Sequence, residues 1–495
     1  MLKDKYMNSY IDFYAMLLTS IDLGTTGVRI EVFDEYGFLK AYGSAKIDKQ
    51  DTVDWVNALK EAMPDIRESD EEKIVVVDST SGSFVVVDRY GTPLFPPSMY
   101  YEKAVEEYEE IKSMPSVLEI GRKGSAISAT SPLPRILKLM KMKPDIFRKA
   151  RWILPPTTWL TYRLIIPEGS LWEDLEVDHT NALKFGEDIT VDPPCWFKPL
   201  FDEVGVDLTL MPRIVGCGDY AGIARSRLAD ELGLYGAKIF HGITDGNASA
   251  LASGCISPGD FSIGCGSTTV PKYVAREIKL HPALYYHKHP IAGYLAGAAP
   301  VTGGFIDWFI SRVLGLDIGE AYRLAELSDA GSEYLFFPQG DRSPFDDPRL
   351  AASILGLWPT SEARETVVGR IVRSMLVSVA FLEYFYMHLI EKLFESRIDE
   401  VRITGGGSRS RFWNIIRASI YERRVKVMEE RVCVGALIPV VLKAGVCKGP
   451  EEAIQRFLKI VDVVDPDSKL TSIYRARRDR FYELWVKLKD VYDHI

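Results

Sequence analysis

What most limits the fold of this chain is a bend of glycines and hydroxyls between two strands, written once in each half. The first copy is TSIDLGTTGVRIEVFDEYG, Thr19 to Gly37. Leu17–Ile21 and Val28–Phe33 read as strands, Gly24-Thr25-Thr26-Gly27 joins them, and Asp22 stands just before the joint. Most hairpins turn on Asn-Gly or Asp-Gly and carry no chemistry. The second copy is DFSIGCGSTTVPKYV, residues 260–274: strand, Gly-Ser-Thr turn, strand. One such hairpin per half points to an internal duplication and two domains of one kind. The length, 495 residues, suggests two or three domains, because a single hydrophobic core stops growing well below it.

Charge and cysteine usage narrow the class. A formal net charge of −9 argues against a nucleic-acid binder and against a surface made for anionic lipid. Six cysteines, at 195, 217, 255, 265, 433 and 447, form no C-x-x-C pair. That is neither a zinc pattern nor a disulfide framework, so a reducing, cytoplasmic setting is expected. The longest apolar run, VCVGALIPVVL, stops at Lys443, short of the ~18 residues a membrane span needs. Residues 1–16 carry a charged start and an apolar part broken by Asp12, and read as an extension rather than a signal peptide. His281, His287 and His289 fit no helix-face metal site and read as loop residues.

Strands and helices alternate through the first half. KIVVVD (73–78) and SFVVVDRYGTPL (83–94) are β-rich, while 102–114 and 134–143 have helical spacing. AKIFHGI (237–243) reads as a strand that opens the second half, followed by a small-residue helix, DGNASALASG. ESRIDEVRITGGGSRSRFWNIIRAS gives strand, triple-glycine turn and helix. The predicted division is an extension at 1–16, a first domain at 17–235, a second at 236–446 and a helical tail at 447–495. That tail should dock through Phe481, Leu484, Trp485 and Leu488.

A glycine-rich turn exposes backbone N–H groups and lets a bulky anion approach. A carboxylate beside it would repel phosphate unless a cation lies between them, so Asp22 makes sense as a partner of hydrated Mg²⁺. One such turn reads equally well as a plain bend. Two can hold a nucleotide triphosphate between them, Gly24, Thr25 and Thr26 on one side and Gly266, Ser267 and Thr268 on the other. Gly405-Gly406-Gly407 follows a strand and leaves a flat surface for base and ribose. No G-x-x-x-x-G-K-[ST] phosphate loop occurs.

IDLGTT, GITDGNASALASG and ITGGGSRSRFWNIIRAS, in that order, resemble the FGGY carbohydrate kinases from about Leu17 to about Gly445. The resemblance implies an α/β, two-domain actin-like (ribonuclease H-like) sugar-kinase fold with the active site in the interdomain cleft, using ATP and Mg²⁺. Asp245 matches the Asp of the family's G-x-x-D motif, its general base, and would join Asp22 at the metal. Its neighbouring N–H groups should keep it ionised, and on its own it reads as a helix N-cap. Gly303 and Asn414 fall in segments expected near the nucleotide.

Sugar contacts are expected from Ser81 and Gly82, where xylulose kinases carry a Gln-Met-His-Gly turn and where this Thr-Ser-Gly version looks like the D-ribulose kinases. Glu102 replaces a family Asp on a longer arm. Asp178 and Asn181 lie in a segment that closes over the cleft. The expected activity is ATP-dependent phosphorylation of a small ketose or polyol, D-ribulose first, D-xylulose next, then other pentitols or hexuloses. The competing class is an actin- or heat-shock-like ATPase switch; the G-x-x-D motif and the lack of an appended substrate-binding domain favour transfer. The expected partners are the sugar and ATP, with no nucleic acid and no membrane; a homodimer is compatible with the sequence.

Overall fold

Strands apolar on both faces belong in the middle of a sheet covered on both sides. MLLTSIDL and EKIVVVDS are such strands, buried along nearly their whole length. In the computed structural model, which describes residues 16–66, 71–332, 334–340, 344–345, 347 and 349–492, they lie side by side as β1 (Met16–Leu23) and β4 (Glu72–Ser79). The expected extension lies outside the described residues except for Met16, which opens β1. Around them stand β2 (Gly27–Asp34), β3 (Leu39–Lys46), β5 (Tyr220–Ile223) and β6 (Lys238–Thr244), in the order β3-β2-β1-β4-β6-β5. β1, β2 and β3 form an antiparallel meander, β4 and β6 run parallel to β1, and β5 is an antiparallel edge.

The second sheet repeats this plan. Its strands are β7 (Phe261–Cys265), β8 (Thr269–Ala275), β9 (Tyr285–Lys288), β10 (Tyr294–Gly297), β11 (Glu400–Thr404), β12 (Arg424–Met428) and β13 (Ile460–Val464), ordered β9-β10-β8-β7-β11-β12-β13. β7, β8 and β10 form the meander, β11 and β12 are parallel to β7, β13 is the antiparallel edge, and β9 is an added strand. The duplication lies in the order and direction of the strands.

Two expected boundaries are corrected. The strand at 238–244 does not open the second domain: KIFHGIT is buried from Ile239 onward and pairs in parallel with β4, so it completes the first sheet. Nor is the tail purely helical, since β13 lies inside it and pairs with β12. The C-terminal helix does dock, burying Tyr474, Phe481 and Trp485, but Leu484 is 38% exposed. It sits one residue from Trp485, about 100° around the helix.

Six helices frame or brace the cleft: α1 (His179–Gly186), α2 (Asp245–Ala252), α3 (Arg364–Phe394), α4 (Arg411–Tyr421), α5 (Val432–Lys443) and α6 (Ser468–Tyr492). α3 and α6 share the second lobe's core, where Val372, Leu376, Phe381, Phe481 and Trp485 meet. α5 crosses over, packing Val434, Leu437 and Val441 on Leu18, Ile74, Val76 and Phe240 of the first sheet. The lobes therefore share apolar packing beneath the cleft. Among the described residues no helix is long and apolar enough to cross a membrane.

Candidate active site

Ligands of α/β sheets bind outside the carboxyl ends of the parallel strands. Here β1 carries Asp22 near that end, β4 carries Asp78, and β6 runs into Asp245. The register sets Asp22 opposite Asp78 and Asp78 opposite Ile243, two residues before Asp245. Asp22 is buried and accepts from Arg29 Nη1 at 2.9 Å. Asp78 is fully buried, and neither of its oxygens has a hydrogen-bond partner.

Burial raises the pKa of all three acids. At Asp22 the Arg29 guanidinium opposes the rise. Asp78 is held well above the carboxylate range by burial and then by Asp22 and Asp245. At Asp245 the Gly246 N–H, donated to Oδ1 at 2.7 Å, and the Lys184 ammonium oppose burial without overcoming it. The Gly246 N–H thus acts in the expected direction, favouring the ionised carboxylate, while burial still raises its pKa. The reading of Asp245 as an N-cap is corrected: Thr244 holds the cap position and Asp245 is the first residue of α2.

These acids suit a hydrated Mg²⁺, which keeps most of its water and takes one or two carboxylates together with phosphate oxygens. Asp78 offers two oxygens with no protein partner beside Asp22. Among the described residues no three His, Cys, Asp or Glu side chains are arranged to enclose an ion unaided.

On the second lobe the turn after β7 is braced by Thr302 and Gly304, whose N–H groups donate to the Ser267 carbonyl at 3.2 and 2.9 Å. A Cβ on Gly303 would lie 2.2 Å from the Gly266 carbonyl oxygen, so only glycine fits that approach. Gly405 adopts φ 90° against the end of β7, where a Cβ would meet the Cys265 carbonyl at 2.9 Å. These close approaches shape two cavities that share Cys265 and Gly266. The larger, about 460 Å³, is lined by Ser267, Gly303, Tyr322, Gly406, Gly407 and Trp413. The smaller, about 220 Å³, is walled by Gly246, Gly266, Thr268, Lys272 and Gly405. Gly24, Thr25 and Thr26 line neither cavity, so in this arrangement of the lobes the two hairpins do not close on one space.

Asn414, expected at the nucleotide, is almost fully buried and spends its amide on the chain. Nδ2 donates to the Ser408 carbonyl at 2.6 Å, and Oδ1 accepts from Arg417 Nη1 at 3.2 Å. Arg417 also donates to the Gly407 carbonyl at 2.8 Å and pairs with Glu383 at 3.0 Å, both side chains wholly buried. These groups hold the triple-glycine turn in place.

On the first lobe Arg135 ties the sugar-side candidates together. Its guanidinium, 3% exposed, donates to Ser98 Oγ at 2.7 Å, to the Met99 carbonyl at 2.9 Å and to the Gly82 carbonyl. Glu102 lies exposed at the rim and accepts from Ser98 Oγ at 3.0 Å. Ser81 is half-buried, and its carbonyl accepts from Lys184 Nζ at 3.4 Å. Asp178 and Asn181 are placed differently from the expectation. Asp178 is a buried N-cap of α1, accepting from Asn181 N at 3.0 Å, Asn181 Nδ2 at 2.8 Å and Thr180 Oγ1 at 2.5 Å. The pair fixes α1, which carries Lys184. The histidines are likewise built in: His287 lies on β9, and buried His289 Nε2 meets the Cys255 carbonyl at 3.0 Å.

Sequence reasoning missed Arg29, Asp78, Arg135, Lys184 and Lys272. Asp78 had a signal, an acid ending the apolar run KIVVVD. Arg29 stands opposite Asp22 across the same hairpin, while Arg135, Lys184 and Lys272 sit beside the site because distant segments meet there.

Paired sheets with acids at their junction and glycine turns around a cavity define a phosphotransferase of the actin-like, ribonuclease H-like sugar-kinase architecture. Residues 263–441 match the FGGY family of carbohydrate kinases, C-terminal domain. The xylulose kinase of Staphylococcus epidermidis is 22% identical over 498 residues, covering 95% of each chain. Among solved structures, the ligand-bound xylulose kinase of Lactobacillus acidophilus superposes with a TM-score of 0.83 at 19% identity, covering 97% of this chain and 99% of that one. The glycerol kinase of Plasmodium falciparum with ADP gives 0.82 at 17% identity, covering 96% and 98%. Residues 263–441 thus carry the C-terminal domain of the FGGY carbohydrate kinases, and the chain is a sugar kinase, similar along nearly its whole length to xylulose kinases.

Proposed function

We propose that the protein transfers the γ-phosphoryl group of ATP to a hydroxyl of a five-carbon ketose, D-ribulose ahead of D-xylulose. The observation that carries this reading is the smaller cavity, where Gly246, next to Asp245, meets the Gly266–Thr268 turn and Gly405. The phosphates lie there against backbone N–H groups, and the base and ribose occupy the larger cavity beside Tyr322 and Gly406. Phosphoryl transfer asks a protein mainly for alignment, charge neutralisation and a base. Asp245 takes the proton of the attacking hydroxyl; its raised pKa makes it a better base than an ordinary carboxylate. Lys184 and Ser81 orient the sugar over Asp245. Asp22 and Asp78 would hold Mg²⁺, which when bound neutralises charge on the phosphates.

D-Ribulose is placed first because the Thr80–Ser83 turn carries no histidine. D-Xylulose follows because xylulose kinases are among the chains this one is similar to. A panel of ketoses and polyols with ATP decides. The expected result is highest kcat/KM for a five-carbon ketose, with Ser81→Ala raising the sugar KM more than the ATP KM. Glycerol as best substrate, or an equal effect of Ser81→Ala on both substrates, overturns the assignment. ATP turnover independent of any sugar would favour the ATPase-switch class.

A further inference from the structure

Lys272 lies in β8, between β10 and β7 in the second sheet, with 6% of its surface exposed. An ammonium in such a place is costly unless something neutralises it. Its Nζ donates to the Gly246 carbonyl, and among the described residues no ion pair joins it to a carboxylate. Its neighbours on the strand, Tyr273 and Val274, are apolar and buried, so packing alone calls for an apolar side chain here.

The surroundings name the missing partner. Lys272 lines the smaller cavity together with Gly266, Thr268 and Gly405, whose turns suit an anion. The one acid lining that space, Glu430, is paired with Arg409 at 3.7 Å. Asp245 lies close enough to favour the charged ammonium, and Lys184 close enough to disfavour it. The two amines thus flank the catalytic acid. Lys184 reaches the sugar-side Ser81 carbonyl, while Lys272 reaches the carbonyl of Gly246 at the cavity. Burial lowers the Lys272 pKa to about 8, which leaves it mostly protonated at neutral pH.

We propose that the Lys272 ammonium grips the terminal phosphates of the nucleotide and stabilises the charge on the phosphoryl group in flight. The step balances without further reagents. The bond from the γ-phosphorus to the β,γ-bridging oxygen breaks, a bond to the sugar oxygen forms, the hydroxyl proton passes to Asp245, and ADP leaves; Lys272 keeps its protons throughout. A fixed cation that meets the developing charge serves transfer rather than binding alone. The inference rests on the reading that polyphosphate occupies this cavity.

The test is Lys272→Met, of similar length and neutral, with Lys272→Gln carrying the same comparison should the Met variant not fold. Calorimetry with Mg²⁺ and without sugar gives the affinities for ATP, ADP and AMP. ATP binding should weaken by about 10- to 100-fold, the scale of one charge-assisted hydrogen bond, while AMP binding holds. kcat with the sugar should fall by at least about 100-fold, and Tm should stay level or rise because a buried charge is gone. A variant that keeps the wild-type ratio of ATP to AMP affinity, or a kcat within about threefold, means that Lys272 only braces the Gly246 carbonyl, and the proposal is wrong. Failure of the underlying reading looks different: the wild-type protein itself would then show no preference for ATP over AMP.

Discussion

Replacing Asp245 by Asn removes one charge and little else. The amide oxygen can still accept the Gly246 N–H that Oδ1 takes at 2.7 Å, and the first turn of α2 keeps its shape. A general base contributes typically ~10²–10⁴-fold to rate. That corresponds to about 2.7–5.4 kcal/mol of transition-state stabilisation, at 1.36 kcal/mol per factor of ten. Steady-state ADP release with the best ketose should therefore show kcat down by about that range, with ATP affinity by calorimetry little changed.

Stability should move the other way. Burial raises the folded-state pKa of Asp245 above its unfolded value, so the folded protein holds this proton more tightly. The resulting destabilisation is absent below the unfolded pKa, grows as pH rises through the folded pKa and is full above it. Asn lacks that penalty. The Asn variant should melt at or above wild type at pH 7–8, and the difference should shrink towards pH 4, near the unfolded value of about 3.9. The wild-type rate should fall on the acid side as Asp245 protonates, at a pH above the ordinary carboxylate range, and the variant's residual rate should lack that limb. Wild-type kcat in Asp245→Asn, or an unchanged acid limb, would refute the assignment. Asp178 offers no substitute base, because its oxygens cap α1.

Three further outcomes are expected. Asp22→Ala should abolish Mg²⁺-dependent turnover while circular dichroism stays native, and near-wild-type kcat at low Mg²⁺ would discard the phosphate-and-metal role of Asp22. Glu383→Ala leaves the wholly buried Arg417 charge unpaired and should cost about 3–5 kcal/mol in chemical denaturation, with a higher ATP KM as the Gly407 turn loosens; a loss under about 1 kcal/mol would mean the pair is not the brace described. Trp485→Ala should cost about 3–5 kcal/mol by undocking part of α6, whereas Trp485→Phe should cost much less because the buried indole N–H has no acceptor; equal losses in the two variants would contradict this.

Local chemistry made part of this protein legible in its sequence. The glycine and hydroxyl turns and the G-x-x-D junction each express a constraint that neighbouring residues impose on one another. They singled out Asp22 and the glycine turns at 24–27, 266 and 405–407 as candidates and implied two copies of one domain, while the family resemblance added Asp245 and Gly303. Tertiary structure alone decided which sheet a strand joins: Lys238–Thr244 follows the expected boundary in sequence, yet β4 offers it a parallel edge in the first sheet. It alone turned Asp178 and Asn414 inward, because a side chain's partners depend on what packs over it. It also brought Lys184 and Lys272 to Asp245 from segments 61 and 27 residues away, a convergence of charges that no local pattern encodes.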